Sequence, residues 1–194
     1  MDTEMEEPSR YALNTRLFWD LVDFPYPRDR QLRKFYFEVE RAITKKASVG
    51  DLSIYAYGEE LTDRQINTFY NSRISLEHGP AEKRERLNKI ILDMLDFARM
   101  KPSPADVNLL IAAKDMPDQN TELFSVMEGL RKRGCRVFFV VPDDSSDSQF
   151  PPRDSASLVW RWNILLDGGF PTVTNTDKVS QGAEKRYKQT SVGE

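Results

Sequence analysis

The hydrophobic positions of this chain change period several times between Arg16 and Leu166, and each change marks an element. Leu17-Phe18-Trp19 is a short apolar run within Arg16–Asp20 that ends on an acid and reads as a first strand, after which Pro25 and Pro27 force a turn. Between Asp29 and Ala47, Leu32, Phe35, Tyr36, Val39 and Ile43 recur at helical spacing. Asp51–Gly58 alternates as a strand and stops at its glycine. Thr62 and Gln65 have capping-box spacing and open a second helix through Ile66, Phe69 and Tyr70. Ile74–His78 makes a short third strand closed by Gly79-Pro80. Leu87, Ile90, Ile91, Met94, Leu95 and Ala98 give the clearest helical stripe, terminated by Pro102 and Pro104. Asp106–Ala113 is an unbroken apolar run of the kind buried on both faces of a parallel sheet.

A fourth helix from Thr121 to Arg133 buries Leu123, Val126, Met127 and Leu130 and ends in basic residues followed by Gly134. Cys135–Val141 is a fifth strand. After a polar stretch, Asp154 or Ser155 can cap a last helix holding Leu158, Val159, Trp162, Leu165 and Leu166, stopped by Gly168-Gly169. Strands that alternate with helices over the whole chain predict an α/β, three-layer domain: a mostly parallel, five-stranded sheet with helices on both faces, plus a C-terminal helix. The expected divisions are a flexible acidic start (residues 1–14), one domain (15–169) and a polar, aperiodic tail (170–194) read as disordered.

Composition narrows the function classes. The formal net charge of -3 supplies no global positive field, so any nucleic-acid site has to be a local patch. One cysteine, Cys135, excludes an internal disulfide and a cysteine-rich zinc site and fits a reducing compartment. The acidic N-terminus lacks the apolar core of a signal peptide, and no stretch approaches the ~20 apolar residues of a membrane helix. An intracellular protein of cytoplasm or nucleus, with no membrane partner, is expected. No glycine-rich phosphate loop follows a strand, and His78 is the only histidine, which argues against nucleotide-cofactor and serine-histidine chemistry.

In open α/β sheets, ligands bind outside the carboxyl ends of the strands, near the point where strand order reverses. The residues there are Asp20 and Asp23 after the first strand and Lys114, Asp115 and Asp118 after the fourth; they converge if those two strands are neighbours. Carboxylates so gathered can hold a hard cation such as Mg²⁺ or Mn²⁺, which takes oxygen ligands, or can simply be solvated loop acids. Basic candidates for RNA contact are Arg131, Lys132, Arg133 and Arg136, with Lys83, Arg84, Arg86 and Lys89 on the third helix. Cations at a helix C-terminus also complement its dipole without any ligand.

Several stretches, in this order, resemble the plant NYN domain, a branch of the PIN-like ribonuclease superfamily related to limkain-like meiosis regulator and mRNA stability factor proteins. They are FWDLVDFPYP, DLSIYAYGE, ISLEHGPAEK, NKIILDMLDFARMKPSPADVNLLIA, LRKRGCRVFFVVPD and LVWRWNILLDGG, spanning Arg16 to Gly169. The resemblance implies a PIN-like fold and Mg- or Mn-dependent cleavage of single-stranded RNA. Catalytic acids would be Asp20, Asp23, Asp115 and Asp118, the metal would sit on Asp20, Asp23 and Asp115, and RNA would meet Lys89, Lys114, Arg131 and Arg133. Asp23 stands where the family usually has asparagine, a tolerable substitute at a metal site, and the chain departs more sharply from the family pattern at two further places. Asn88 stands before Lys89 where the family has an aspartate on the third helix, and Lys114 follows the fourth strand where the family has a small pair and then an acid. Both changes remove negative charge from where a dication needs it. Two outcomes are therefore open: a metal-dependent endoribonuclease with a partly degenerate acidic site, or a catalytically inactive member that binds RNA or protein.

Overall fold

The computed structural model describes residues 13–59, 61–114, 122–145 and 158–172. The expected flexible start (1–14, described only from Leu13) and disordered tail (170–194, described only to Thr172) otherwise fall outside that range, as do Asp115 and Asp118. Six strands form one sheet: β1 (Asn14–Asp20), β2 (Asp51–Gly58), β3 (Ile74–His78), β4 (Val107–Ala112), β5 (Arg136–Val141) and β6 (Leu158–Arg161). Among the described residues, five α-helices connect or follow them: α1 (Leu32–Thr44), α2 (Asp63–Tyr70), α3 (Lys83–Arg99), α4 (Glu122–Lys132) and α5 (Trp162–Leu166), with a single 3-10 turn at Pro104–Asp106 before β4. The strand order is β3-β2-β1-β4-β5-β6. Every pairing is parallel, so all strands end on one edge of the sheet and begin on the other. This is the doubly wound arrangement, and the order reverses between β1 and β4.

Strand alternation decides what each face receives. Leu17 and Trp19 point into one core with Phe35, Val39 and Ile43 of α1 and Leu165 of α5. Phe18 and Tyr57 point into the other, with Ile90, Met94 and Phe97 of α3 and Leu123, Met127 and Leu130 of α4. By the same period of two, Asp20 leaves β1 on the α3 side. β4 is buried throughout, as its unbroken apolar run predicts.

One boundary differs from the expectation. Leu158–Arg161 is not the first turn of a helix but a sixth strand, paired with β5 from Phe138↔Leu158 to Val141↔Arg161. The helix is shortened to Trp162–Leu166. The stretch fits both periods, and the exposed edge of β5 settles it, because unpaired ladder groups there gain partners. The capping box that opens α2 forms as read: the Gln65 backbone N–H donates to Thr62 Oγ1 at 3.4 Å, and the Thr62 N–H donates to Gln65 Oε1 at 3.0 Å.

Candidate functional site

Asp20 closes β1 at the reversal point and is completely buried (0% exposed). Its Oδ1 accepts the backbone N–H groups of Val22 (2.9 Å) and Asp23 (3.3 Å), which turns the chain immediately after the strand. The turn is braced from the opposite face. Trp19 Nε1 donates to the Phe24 carbonyl at 2.7 Å, and the Trp19 ring packs against Phe35 and Trp162 with centroids 4.8 and 5.5 Å apart. The apolar run before Asp20 and the proline turn after it thus form one rigid unit that holds two carboxylates at the strand end.

What faces Asp20 is a cation from the chain itself. Arg86, on the first turns of α3, is only 2% exposed, and its Nε donates to Asp20 Oδ2 at 3.1 Å. Its guanidinium also donates to the carbonyls of Ala81 (2.6 Å) and Pro80 (3.2 Å), with Glu59 Oε1 at 3.5 Å. Gly79 packs close against this arginine. A Cβ at that position would lie 3.1 Å from Arg86 Cδ and 3.3 Å from the Gly58 backbone nitrogen, so a larger residue would push the arginine stem aside by a few tenths of an ångström. The Gly79-Pro80 pair that closes the third strand therefore also roofs the arginine.

Asp23 is similarly occupied. Lys83 Nζ lies 3.3 Å from its Oδ1, and the Lys114 backbone N–H donates to its Oδ2 at 2.8 Å. β1 and β4 are neighbours, as the convergence of their ends requires, and the chain leaves β4 right beside Asp23. Asp115 and Asp118, expected as further ligands, lie outside the described residues. Asn88 is exposed and lines a groove of about 600 Å³ between α3 and α4, with Ile91, Leu92 and Val126, rather than facing Asp20.

A divalent ion does not fit the residues that are described. Among them, no group of three metal-ligating side chains converges. The carboxylate oxygens that such an ion would need already take protein N–H groups or cations, and the guanidinium of Arg86 stands against Asp20 with its positive charge. A dication in that place would have to displace a buried ion pair, which is costly.

The predicted RNA contacts separate. Lys89 Nζ is bound to Asp93 at 2.8 and 3.1 Å, with Glu77 at 3.7 Å, and hydrogen bonding to Asp93 raises its pKa. Asp93 also accepts the Tyr57 hydroxyl at 2.8 Å; burial, followed by the Asp93 charge, pushes that phenol far above its ordinary value. Lys89 is thus a structural cation of the sheet face. Lys114 is exposed at the edge where strands end. Arg131, in the last turn of α4 and paired with Glu128 at 3.2 Å, and exposed Arg133, just after that helix, lead toward the start of β5 and so lie at the opposite edge from Asp20. Of the basic candidates, Lys83 and Arg86 pair with the acids and Lys114 lies beside them, while Arg131 and Arg133 lie apart at the other edge. Arg86 appears in the sequence as one of several third-helix basics; the signal that marks it out is its place on the buried helical stripe, at i, i+4, i+8 and i+11 with Ile90, Met94 and Phe97.

Among the described residues no helix is long and apolar enough to cross a membrane. The sequence profile of the NYN domain matches residues 14–152, about seven tenths of the chain. Comparison with curated proteins found no match. A crystal structure of a protein of unknown function from Vibrio parahaemolyticus is similar over 80% of this chain and 96% of its own, with 13% sequence identity and a TM-score of 0.53. At that identity the likeness concerns the fold alone.

Proposed function

The chain belongs to the NYN-domain family, and from that premise we propose that it is a non-cleaving member, an RNA-binding module whose nuclease-type acidic site holds the chain's own cations. The NYN domain is a PIN-like, nuclease-type module and suggests work on RNA. One observation carries the further step to a non-cleaving role: the buried Arg86–Asp20 ion pair stands where the family's acids would need to meet a metal. Lys83 on Asp23 and the exposed Asn88 support it. Kinship with the plant branch rests on the stretches quoted above, from FWDLVDFPYP onward.

The competing reading is a Mg- or Mn-dependent endoribonuclease using Asp20, Asp23 and either Asp115 or Asp118. It is favoured by one contact, the Lys114 N–H on Asp23, because Asp115 is the next residue along. Incubating the full chain with single-stranded RNA in Mn²⁺ and in EDTA separates the two. The proposal expects binding that EDTA leaves unchanged and no cleavage that depends on Asp20. Manganese-dependent cleavage that disappears in Asp20→Asn would overturn it.

A further inference from the structure

The parallel sheet separates charge along its strands. In the described segments that lead into β2, β3, β4 and β5, including each strand's first residue, the cations are Lys45, Lys46, Arg73, Lys101, Arg133 and Arg136, and the acids are Asp51 and Asp106. At the other edge, the described strand ends and exits carry seven acids, among them Asp20, Asp23, Glu59 and Glu82, against Arg28, Arg30, Lys114 and Arg161. The chain as a whole is negative, so a surplus of cations is a local feature, and the described entry segments carry one. Lys45 and Lys46 reach that edge from the α1 side of the sheet, and Lys101, Lys132 and Arg133 reach it from the α3–α4 side. From β3 to β5 the edge spans four strand spacings, about 19 Å.

Helix dipoles account for part of this, because Lys45 and Lys132 sit at helix C-termini. They do not account for Arg73, Lys101 or Arg136, which lie outside the helices, nor for the aromatic side chains beside them. Tyr70 is 81% exposed, Phe170 58% and Phe37 53%, and these are the exposed aromatic rings among the large surface hydrophobics of the described residues. Arg73 takes a left-handed conformation (φ 61°), which a residue with a side chain rarely adopts, and holds its guanidinium 5.5 Å from the centroids of both Tyr36 and Phe37. Its backbone N–H donates to the Tyr70 carbonyl at 3.2 Å, which fixes Tyr70 beside it. Lys45 Nζ lies 4.5 Å from the centroid of the Phe170 ring. Lys46, Lys132 and Arg133 have no acid partner among the described residues.

Exposed rings interleaved with unneutralised cations are what a single-stranded nucleic acid needs, because phosphates take the charge and bases stack on the rings. Resting on the RNA-binding reading above, we propose that the strand-entry edge of the sheet is the surface that binds single-stranded RNA. Phosphates lie along Arg73, Lys45, Lys46, Lys101, Lys132 and Arg133, and bases stack on Tyr70, Phe37 and Phe170. The bound strand is therefore at the opposite end of the sheet from the acidic pocket.

Fluorescence anisotropy of a labelled oligouridine RNA with the full chain, across a salt series, tests this. Each lost phosphate contact lowers the slope of log affinity against log salt by about 0.7 and weakens binding about fivefold at 0.1 M salt. Lys132→Gln with Arg133→Gln is expected to lower the slope by about 1.4 and the affinity about 25-fold at that salt. Tyr70→Ala is expected to weaken binding roughly five- to hundredfold with the slope unchanged, since a stacked base and no charge is lost; Tyr70→Phe restores it. Both sites are at the surface, so folding is not at stake. Wild-type binding that neither variant weakens, or that Lys114→Gln weakens instead, overturns the entry-edge surface while leaving RNA binding intact. No binding by the wild type removes the RNA-binding reading and the surface with it.

Discussion

Replacing Arg86 by methionine asks how far the acidic pocket depends on its internal cation. The guanidinium is 2% exposed and Asp20 is wholly buried, so solvent cannot compensate for the lost charge. Methionine keeps an unbranched stem against Gly79 and removes the charge, leaving Asp20 Oδ2 without its partner and the Pro80 and Ala81 carbonyls without their donor. Removing one member of a buried ion pair costs about 3–5 kcal/mol. In a chain of this size that corresponds to a drop in Tm of roughly 6 to 20 °C. Urea unfolding, with an unchanged m-value, measures it directly. The double variant Arg86→Met with Asp20→Asn separates the charge from the packing. Asparagine keeps an oxygen for the Val22 and Asp23 N–H groups while discharging the site, so the double variant is expected to recover most of the loss. The single variant also exposes an uncompensated carboxylate beside Asp23, so Mn²⁺ is expected to raise its Tm while leaving the wild type unmoved. An Arg86→Met cost below about 1 kcal/mol, no more than a typical exposed ion pair contributes, would refute the reasoning.

Gly79→Ala is expected to destabilise by about 1–3 kcal/mol, because its Cβ presses on the Arg86 stem and the Gly58 backbone together; thermal unfolding checks it, and in the Arg86→Met background the penalty should shrink because the stem can yield. Tyr57 has its phenol pushed up by burial and then by Asp93, so the folded state keeps the proton that an unfolded tyrosine releases near pH 10. Its contribution is complete below that pH, and stability is expected to fall as pH rises beyond about 10, less steeply in Tyr57→Phe, as denaturant midpoints at stepped pH would show. Cys135 is buried and burial raises its thiol pKa, so a disulfide-exchange reagent is expected to titrate it slowly in the folded chain and rapidly in urea.

Most of the architecture is legible because it follows from period and punctuation. Trp19 in one core and Phe18 in the other come straight from strand alternation, and the buried run of β4 from its lack of alternation. Leu158–Arg161 misleads because four residues of mixed period satisfy helix and strand alike, and only the open edge of β5 decides. The strand-end location of Asp20 and Asp23 was readable, and so was their meeting with the start of the segment after β4. Their occupation was not. The period of α3 places Arg86 on the inward face with Ile90, Met94 and Phe97. What it meets there, the Asp20 carboxylate and the Pro80 and Ala81 carbonyls, is set by how α3 packs over the strand ends, a tertiary fact.

The filled pocket and the cationic edge bear on each other. Where acids hold a dication, the metal bridges carboxylates and phosphates, so RNA has to lie on the acidic edge despite the repulsion. With Arg86 and Lys83 bound to the acids, that bridge has no place among the described residues, and the further acids Glu82, Asp143 and Asp144 at the same edge repel a phosphate. The surplus of cations over acids in the described segments lies on the entry edge. Restoring the acidic pocket alone is therefore not expected to restore cleavage, even in a variant such as Arg86→Met that gains Mn²⁺ affinity. The RNA would still be held about one strand length away, and six- or seven-residue strands rising ~3.3 Å per residue place roughly 20 Å between the two edges. Cleavage by Arg86→Met in Mn²⁺ at the wild-type RNA affinity would show that the bound strand reaches both edges, and would break the link between the two proposals.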